Sequence, residues 1–229
     1  MKEGYIKKED RKKILLLTDD IRVHSGVAQV GRELVLHTLD KYNWCQMAGA
    51  VEHPELGKVI DMSDEVKKQV PTAKDPYLML YPTTGYGDMQ VLRAVIKREK
   101  PDALLLITDP RYFAWLFQSE NEIRKECPIM YLNIWDNYPA PMYNKEYYES
   151  CDLLMGISKQ TVNINKLVLG DKGKNKIFKY VPHGLNNKIF GILEDDNPEL
   201  VRFKKNMGVP EDNNFHLVYN SRNIRRKQV

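Results

Sequence analysis

The chain has 229 residues, 42% hydrophobic and 29% charged, enough to bury one large or two small cores and ordinary for a globular protein. Its 35 basic and 31 acidic residues leave a formal net charge of +4, too balanced to argue by itself for nucleic acid or a membrane surface as partner. No apolar run approaches the roughly 20 residues of a membrane span, and the charged N-terminus lacks the apolar core of a signal peptide. Cys45, Cys127 and Cys151 form no CxxC pair and read as free, buried thiols in a reducing, cytoplasmic compartment.

Residues 13–18 form a short, continuous apolar run, the pattern of a strand covered on both faces. A polar loop, 19–26, leads into a helix expected over 27–41, where Val27, Val30, Leu34, Leu36 and Leu39 recur at roughly helical spacing. A second strand is expected at 44–51 and a short third at 59–62, with Ser63 placed to cap a brief helix. The unit then repeats as strand 77–81, glycine-bearing loop 82–87 and helix 89–100, followed by strand 103–108 and an aromatic-rich helix over 112–124. Strand 129–134, a Tyr-rich helix near 143–150, strand 153–157, helix 160–169 and strand 177–181 complete this part. A polar and charged run follows, and then an apolar strand at 215–219 that opens into a basic loop.

Strands alternating with helices imply right-handed βαβ units. The expected fold is α/β, a Rossmann-like, mostly parallel sheet flanked by helices, plus the first strand of a second such domain. Residues 1–184 make the first domain, 185–212 a linker and 213–229 the start of the second. Ligands bind such sheets at the carboxyl ends of the strands, which points to the loops 19–26, 82–87, 109–111, 135–139 and 182–184.

His24-Ser25-Gly26 stands at a helix start, where glycine lets backbone approach a ligand and the helix N-terminus favours an anion. The same residues also suit a plain cap and turn. The motif is not GxGxxG, so a nicotinamide cofactor has little support. Asp19, Asp20 and Asp109 follow strands and suit solvated or capping roles better than metal chelation; no metal is expected. In Trp135-Asp136-Asn137-Tyr138, Asp136 is placed to orient a hydroxyl and the aromatics to stack on a sugar or base, unless they pack beneath the loop while Asp136 caps. His183-Gly184 reads as a turn. Arg222 and Lys227, five positions apart with Arg225 and Arg226 between them, suit a diphosphate clamp or a solvated or nucleic-acid-contacting basic run.

Taken in order, these pieces resemble the retaining GT-B glycosyltransferases of the glycogen-synthase and sucrose-synthase type. The first strand and His24-Ser25-Gly26 look like the family's glycine loop, with Ser25 in place of a first glycine. The strand ending at Ser158, the Val181-Pro182-His183-Gly184 segment with Phe190, and residues 215–227 with Arg222 and Lys227 are similar to later family segments. Gln228 stands where a glycine commonly follows the lysine.

The resemblance implies the N-terminal half of a GT-B fold and transfer of a sugar, with retention, from a nucleoside diphosphate sugar. That sugar is a co-substrate, and no further cofactor is implied. Gly26, Arg222 and Lys227 would hold the donor diphosphate, and Asp136 or His24 would orient the acceptor hydroxyl. Ser25, Thr84, Tyr86, Trp135, Asn137 and His183 would line the acceptor side. The acceptor itself (a glycan, small molecule, protein or modified nucleic acid) is left open, and the chain, as the acceptor half, is expected to be weak or inactive alone. A second reading is a non-catalytic nucleotide- or phosphate-binding module whose basic tail contacts nucleic acid. A third adds self-association through the 215–219 strand.

Overall fold

The apolar run near the N-terminus becomes β1 (Lys12–Asp19), whose Leu15, Leu16 and Leu17 are fully buried. The computed structural model describes residues 5–187, 190–210, 212 and 214–219. The chain divides into two compact units, Met1–Gly184 and Leu185–Val229.

The first unit carries β2 (Tyr42–Gly49), β3 (Ile60–Asp61), β4 (Leu78–Pro82), β5 (Ala103–Ile107), β6 (Ile129–Asn133), β7 (Leu153–Gly156) and β8 (Ile177–Tyr180). With β1 they form one eight-stranded sheet in the order β3-β4-β2-β1-β5-β6-β7-β8. Every pair is parallel except β3–β4. This is a Rossmann-like α/β sheet. The chain winds outward from β1 through β2 to β4, then returns to β1's other side at β5 and winds the opposite way. That reversal opens a crevice at the carboxyl ends of β1 and β5, the place where such sheets bind ligands.

Alternate residues of β1 enter different cores. Leu15 and Leu17 pack with residues of α3 (Met89–Glu99), α4 (Ala114–Phe117), α5 (Glu120–Ile123), α6 (Lys145–Glu149) and α7 (Lys159–Leu169). Ile14 and Leu16 pack on the other face, towards Val35 of α1 (Gly26–Leu36) and Val66 of α2 (Ser63–Gln69). Each such leucine contributes about 1.5–3 kcal/mol on burial. Cys45, Cys127 and Cys151 are free and buried among these residues. Burial raises the Cys127 thiol to about 11 and pushes the other two above the usual thiol range.

Several expected helices are shorter or broken. The first stops at Leu36 because Thr38 turns its hydroxyl back onto the Leu34 carbonyl (2.6 Å) and receives Trp44 Nε1 (3.1 Å). Leu39 still reaches the core from the turn, which is why the helical pattern runs past the helix. The helix expected over 112–124 is a 3₁₀ turn, Pro110–Phe113, followed by α4 and α5, with the helix interrupted at Ser119. The Tyr-rich helix is likewise a 3₁₀ turn, Met142–Asn144, running into α6. Ser63 is the first residue of α2, and its backbone N–H is held by Asp61 Oδ1 (2.8 Å).

In the second unit the expected linker contains a helix, α8 (Pro198–Asn206), capped by Asn197, whose side chain accepts from Glu199 N and Leu200 N. The expected strand at 215–219 forms no β-ladder among the described residues. Phe215 and Leu217 are 92% and 85% exposed. An apolar run satisfies its backbone as a strand only beside a partner strand. Arg222 and Lys227 lie outside the described residues.

Candidate functional site

The carboxyl end of β1 is built around Asp19. Its Oδ2 accepts the Ser25 hydroxyl (2.6 Å) and its Oδ1 accepts the Tyr86 hydroxyl (2.8 Å). Ser25 Oγ in turn accepts from Ala28 N (2.9 Å), capping α1. Ser25 therefore serves as cap and turn, and Tyr86 as a tie between the loops after β1 and β4. Burial, followed by the Asp19 hydrogen bond, raises the Tyr86 phenol well above its ordinary range, so it stays a donor. From beneath, the fully buried Gln46 of β2 donates to Asp19 O (2.8 Å) and accepts from Ile21 N (3.3 Å). Gly49 is needed where these loops meet: a Cβ there would sit 2.7 Å from Gly85 O, which accepts from Ala50 N.

Asp20 is fully buried and gripped by Arg22, whose backbone N, Nε and Nη2 all reach its carboxylate. Arg22 Nη1 extends to Glu55 Oε2 (2.9 Å). His53 Nε2 lies 3.1 Å from Asp20 Oδ2, within ion-pair distance but outside hydrogen-bond geometry. These contacts fasten the 50–58 loop to the end of β1. Both acids after β1 are thus occupied. Among the described residues no group of three His, Cys, Asp or Glu side chains is arranged to hold a metal ion.

Across the crevice, Thr108 follows β5 at φ +112°, a conformation that costs a β-branched residue about 1–3 kcal/mol. Its carbonyl is held by the Tyr131 hydroxyl (2.8 Å). Asp109 caps the next turn through Arg111 N (3.0 Å) and is forked by the Arg111 guanidinium. Burial opposes ionisation of Asp109, but the Arg111 hydrogen bonds outweigh it and hold the carboxyl below its usual range. The Arg111–Asp109 pair leaves this patch locally neutral.

Aromatic rings gather on that neutral ground. Tyr112 stacks on Tyr86 with ring centroids 4.7 Å apart. Arg111 lies over the Tyr143 ring at 5.4 Å, and Tyr143 meets the edge of Trp135 at 6.0 Å. Trp135 is fixed by three bonds: its N to Asn133 Oδ1, its Nε1 to Asn137 O (2.6 Å), and its O from the Thr161 hydroxyl. Tyr112, Tyr138 and Tyr143 leave 54%, 51% and 59% of their surface exposed.

Of the residues singled out from sequence, these contacts join Ser25, Tyr86 and Trp135 into the strand-end network. Asn137 joins through its carbonyl, while its side chain accepts from Tyr138 N. Asp136 and His24 are exposed on their loops, and neither side chain has a polar partner among the described residues. Gly26 opens α1, and a Cβ there would meet nothing within 4 Å. Thr84 instead lines a cavity with 56–59 and α3. His183 follows β8, and partial desolvation lowers its imidazole pKa although the residue as a whole is exposed.

Sequence reasoning missed Gln46, His53, Thr108, Arg111, Tyr112 and Tyr143. Gln46 carried a signal, as the amide in an otherwise apolar strand; Thr108 carried none. At these strand ends the rings of Tyr112 and Tyr143 are more than half exposed, and the Asp136 carboxylate is exposed on the loop after β6. No family model matches the chain, and no curated protein matches it.

Proposed function

We propose that this chain is the acceptor-side half of a retaining glycosyltransferase that moves a sugar from a nucleoside diphosphate sugar to an acceptor hydroxyl. The observation that carries this reading is the pair of aromatic contacts at the carboxyl ends of β5 and β6, Tyr112 on Tyr86 and Tyr143 on Trp135, with Asp136 exposed on the loop that follows Trp135. Sugar rings present apolar C–H faces to aromatic rings and hydroxyls to carboxylates and amides, so this combination suits a neutral sugar acceptor.

In this reading Asp136, on the loop after β6, or His24, on the loop after β1, orients the attacking hydroxyl. The departing diphosphate gathers negative charge, which donors and cations aimed at it stabilise. The resemblance would give that role to Arg222, as a fork, to Lys227, as a point charge, and to the amides at Gly26. The three unpaired thiols fit a cytoplasmic setting.

The test is equilibrium binding of nucleoside diphosphates to the chain and to Arg222→Ala and Lys227→Ala. The expected result is binding that either substitution weakens by roughly tenfold or more. Absence of nucleoside diphosphate binding, together with tight duplex binding that falls steeply with salt, would overturn the reading in favour of a nucleic-acid-contacting module.

A further inference from the structure

Beside β4, the neighbour of the edge strand β3, lies a cavity of about 460 Å³ between α3 and the 56–59 segment. That is within the range of small-molecule sites. Its walls are Leu56, Val59, Tyr81, Pro82, Val91 and Val95. Leu56 and Val59 leave 56% and 37% of their surface exposed, so part of this apolar lining faces no protein.

Two cations, Lys58 and Arg98, also line the cavity, and neither has an ion-pair partner among the described residues. Asp88 is the one acid on the lining. Its Oδ1 accepts from Gln90 N and Val91 N at the start of α3, where the helix dipole offsets its charge. The cavity thus combines an unfilled apolar interior with uncompensated positive charge.

We propose that this cavity is a second binding site, for a small organic carboxylate with an apolar body. The apolar body fills the space between Leu56, Val59 and Val95, and the carboxylate meets Lys58 and Arg98. Both cations are exposed and solvated when the cavity is empty, so a carboxylate gains charge-assisted contacts that a neutral ligand lacks, and a cationic ligand is repelled. The wall does not depend on the ligand for its position: Glu55 holds Arg22, and His53 sits against Asp20, at the other end of the same loop. The cavity also takes in Thr84, which the resemblance places on the acceptor side, so the test rests on Lys58, Ala94 and Arg98, none of which the sugar-transfer reading uses.

The experiment is titration of the chain with decanoate, with decylamine as the opposite-charge control, followed by backbone amide NMR. Saturable decanoate binding is expected, with shifts at Val59, Ala94 and Val95, at least roughly tenfold tighter than decylamine. Ala94 lies on the cavity and is exposed on α3, so Ala94→Trp fills the space without entering the core and should abolish binding at an unchanged thermal midpoint. Lys58→Glu with Arg98→Glu should reverse the preference toward decylamine. Equal binding of the two probes, decanoate binding that survives Ala94→Trp, or no saturable binding would each overturn the proposal.

Discussion

Tyr86 donates its phenolic hydrogen to Asp19 across 2.8 Å, and the opposite oxygen of that carboxylate holds Ser25 at 2.6 Å. One acid therefore joins the loop after β4, the end of β1 and the first turn of α1. Tyr86 also stacks on Tyr112, so the same tie reaches the aromatic surface beyond β5. The loops after β1 and β4 are thus tied to each other through this shared carboxylate as well as through the sheet beneath them.

Tyr86→Phe keeps the ring and its stack but removes the donor. The expected loss is about 1–2 kcal/mol, since an oxygen of the buried Asp19 carboxylate loses a partner. Ser25→Ala removes the cap and should cost about 1 kcal/mol. Because both hydroxyls share Asp19, the double variant should depart from additivity by roughly 0.5 kcal/mol or more. Urea denaturation of the four proteins measures this; strict additivity would mean that the two contacts act independently.

Glu99 supplies the clearest pH dependence. Its side chain is 3% exposed and receives Lys13 Nζ (2.7 Å), the Tyr77 hydroxyl (2.8 Å) and the Tyr81 hydroxyl. Burial works against its charge, but Lys13, Tyr81 and Tyr77 prevail and lower its pKa. Because the folded state favours the ionised form, the stabilisation is present above the ordinary glutamate value, about 4.3, and is lost as pH falls through the lower folded value. Glu99→Gln should cost about 3 kcal/mol at neutral pH, by stranding Lys13 and two tyrosines, and should flatten the acid limb of a stability-against-pH curve. An acid limb identical to that of the parent protein would refute the assignment.

Much of this architecture is legible in sequence, for physical reasons. Leu15–Leu17 fit a strand covered on both faces and are fully buried in one, and Ser25 and Ser158 stand where helix caps are needed; each does cap its helix. The strand-end loops follow from that alternation. What is hidden is long-range. Nothing local marks the meeting of Tyr86 with Asp19 or of Arg22 with Glu55, because partners 67 and 33 residues apart are brought together only by the sheet order. Periodicity also misleads where a turn delivers an apolar side chain to the core, as at Leu39, or where a helix breaks between buried residues, as at Ser119.

Tyr112 and Tyr143 test the acceptor surface without disturbing the core. Both rings are more than half exposed, so Tyr112→Ala and Tyr143→Ala should each change stability by no more than about 1 kcal/mol. Under the proposed function each should weaken neutral oligosaccharide binding by roughly tenfold, the loss of one stacking face. Calorimetric titration with a neutral oligosaccharide and its phosphorylated counterpart reads both points, and the neutral form should bind the more tightly. Unaltered binding in both variants would remove the aromatic surface from the site.

Gly49 and Gly26 should respond in opposite ways to the same added methyl group. At Gly49 a Cβ falls 2.7 Å from the Gly85 carbonyl oxygen, a backbone atom that cannot swing aside. Gly49→Ala should therefore cost about 1–3 kcal/mol through overpacking where the β2 and β4 loops touch. At Gly26 the Cβ meets nothing within 4 Å, and the residue opens α1. Gly26→Ala should raise stability by up to about 1 kcal/mol, because alanine gives up less backbone freedom on folding. If the Gly26 amide faces the donor diphosphate, the same methyl group should weaken nucleoside diphosphate binding while the protein becomes more stable. A rise in stability with unchanged nucleotide affinity would leave Gly26 as a helix start alone and shift the anion contact onto Arg222 and Lys227.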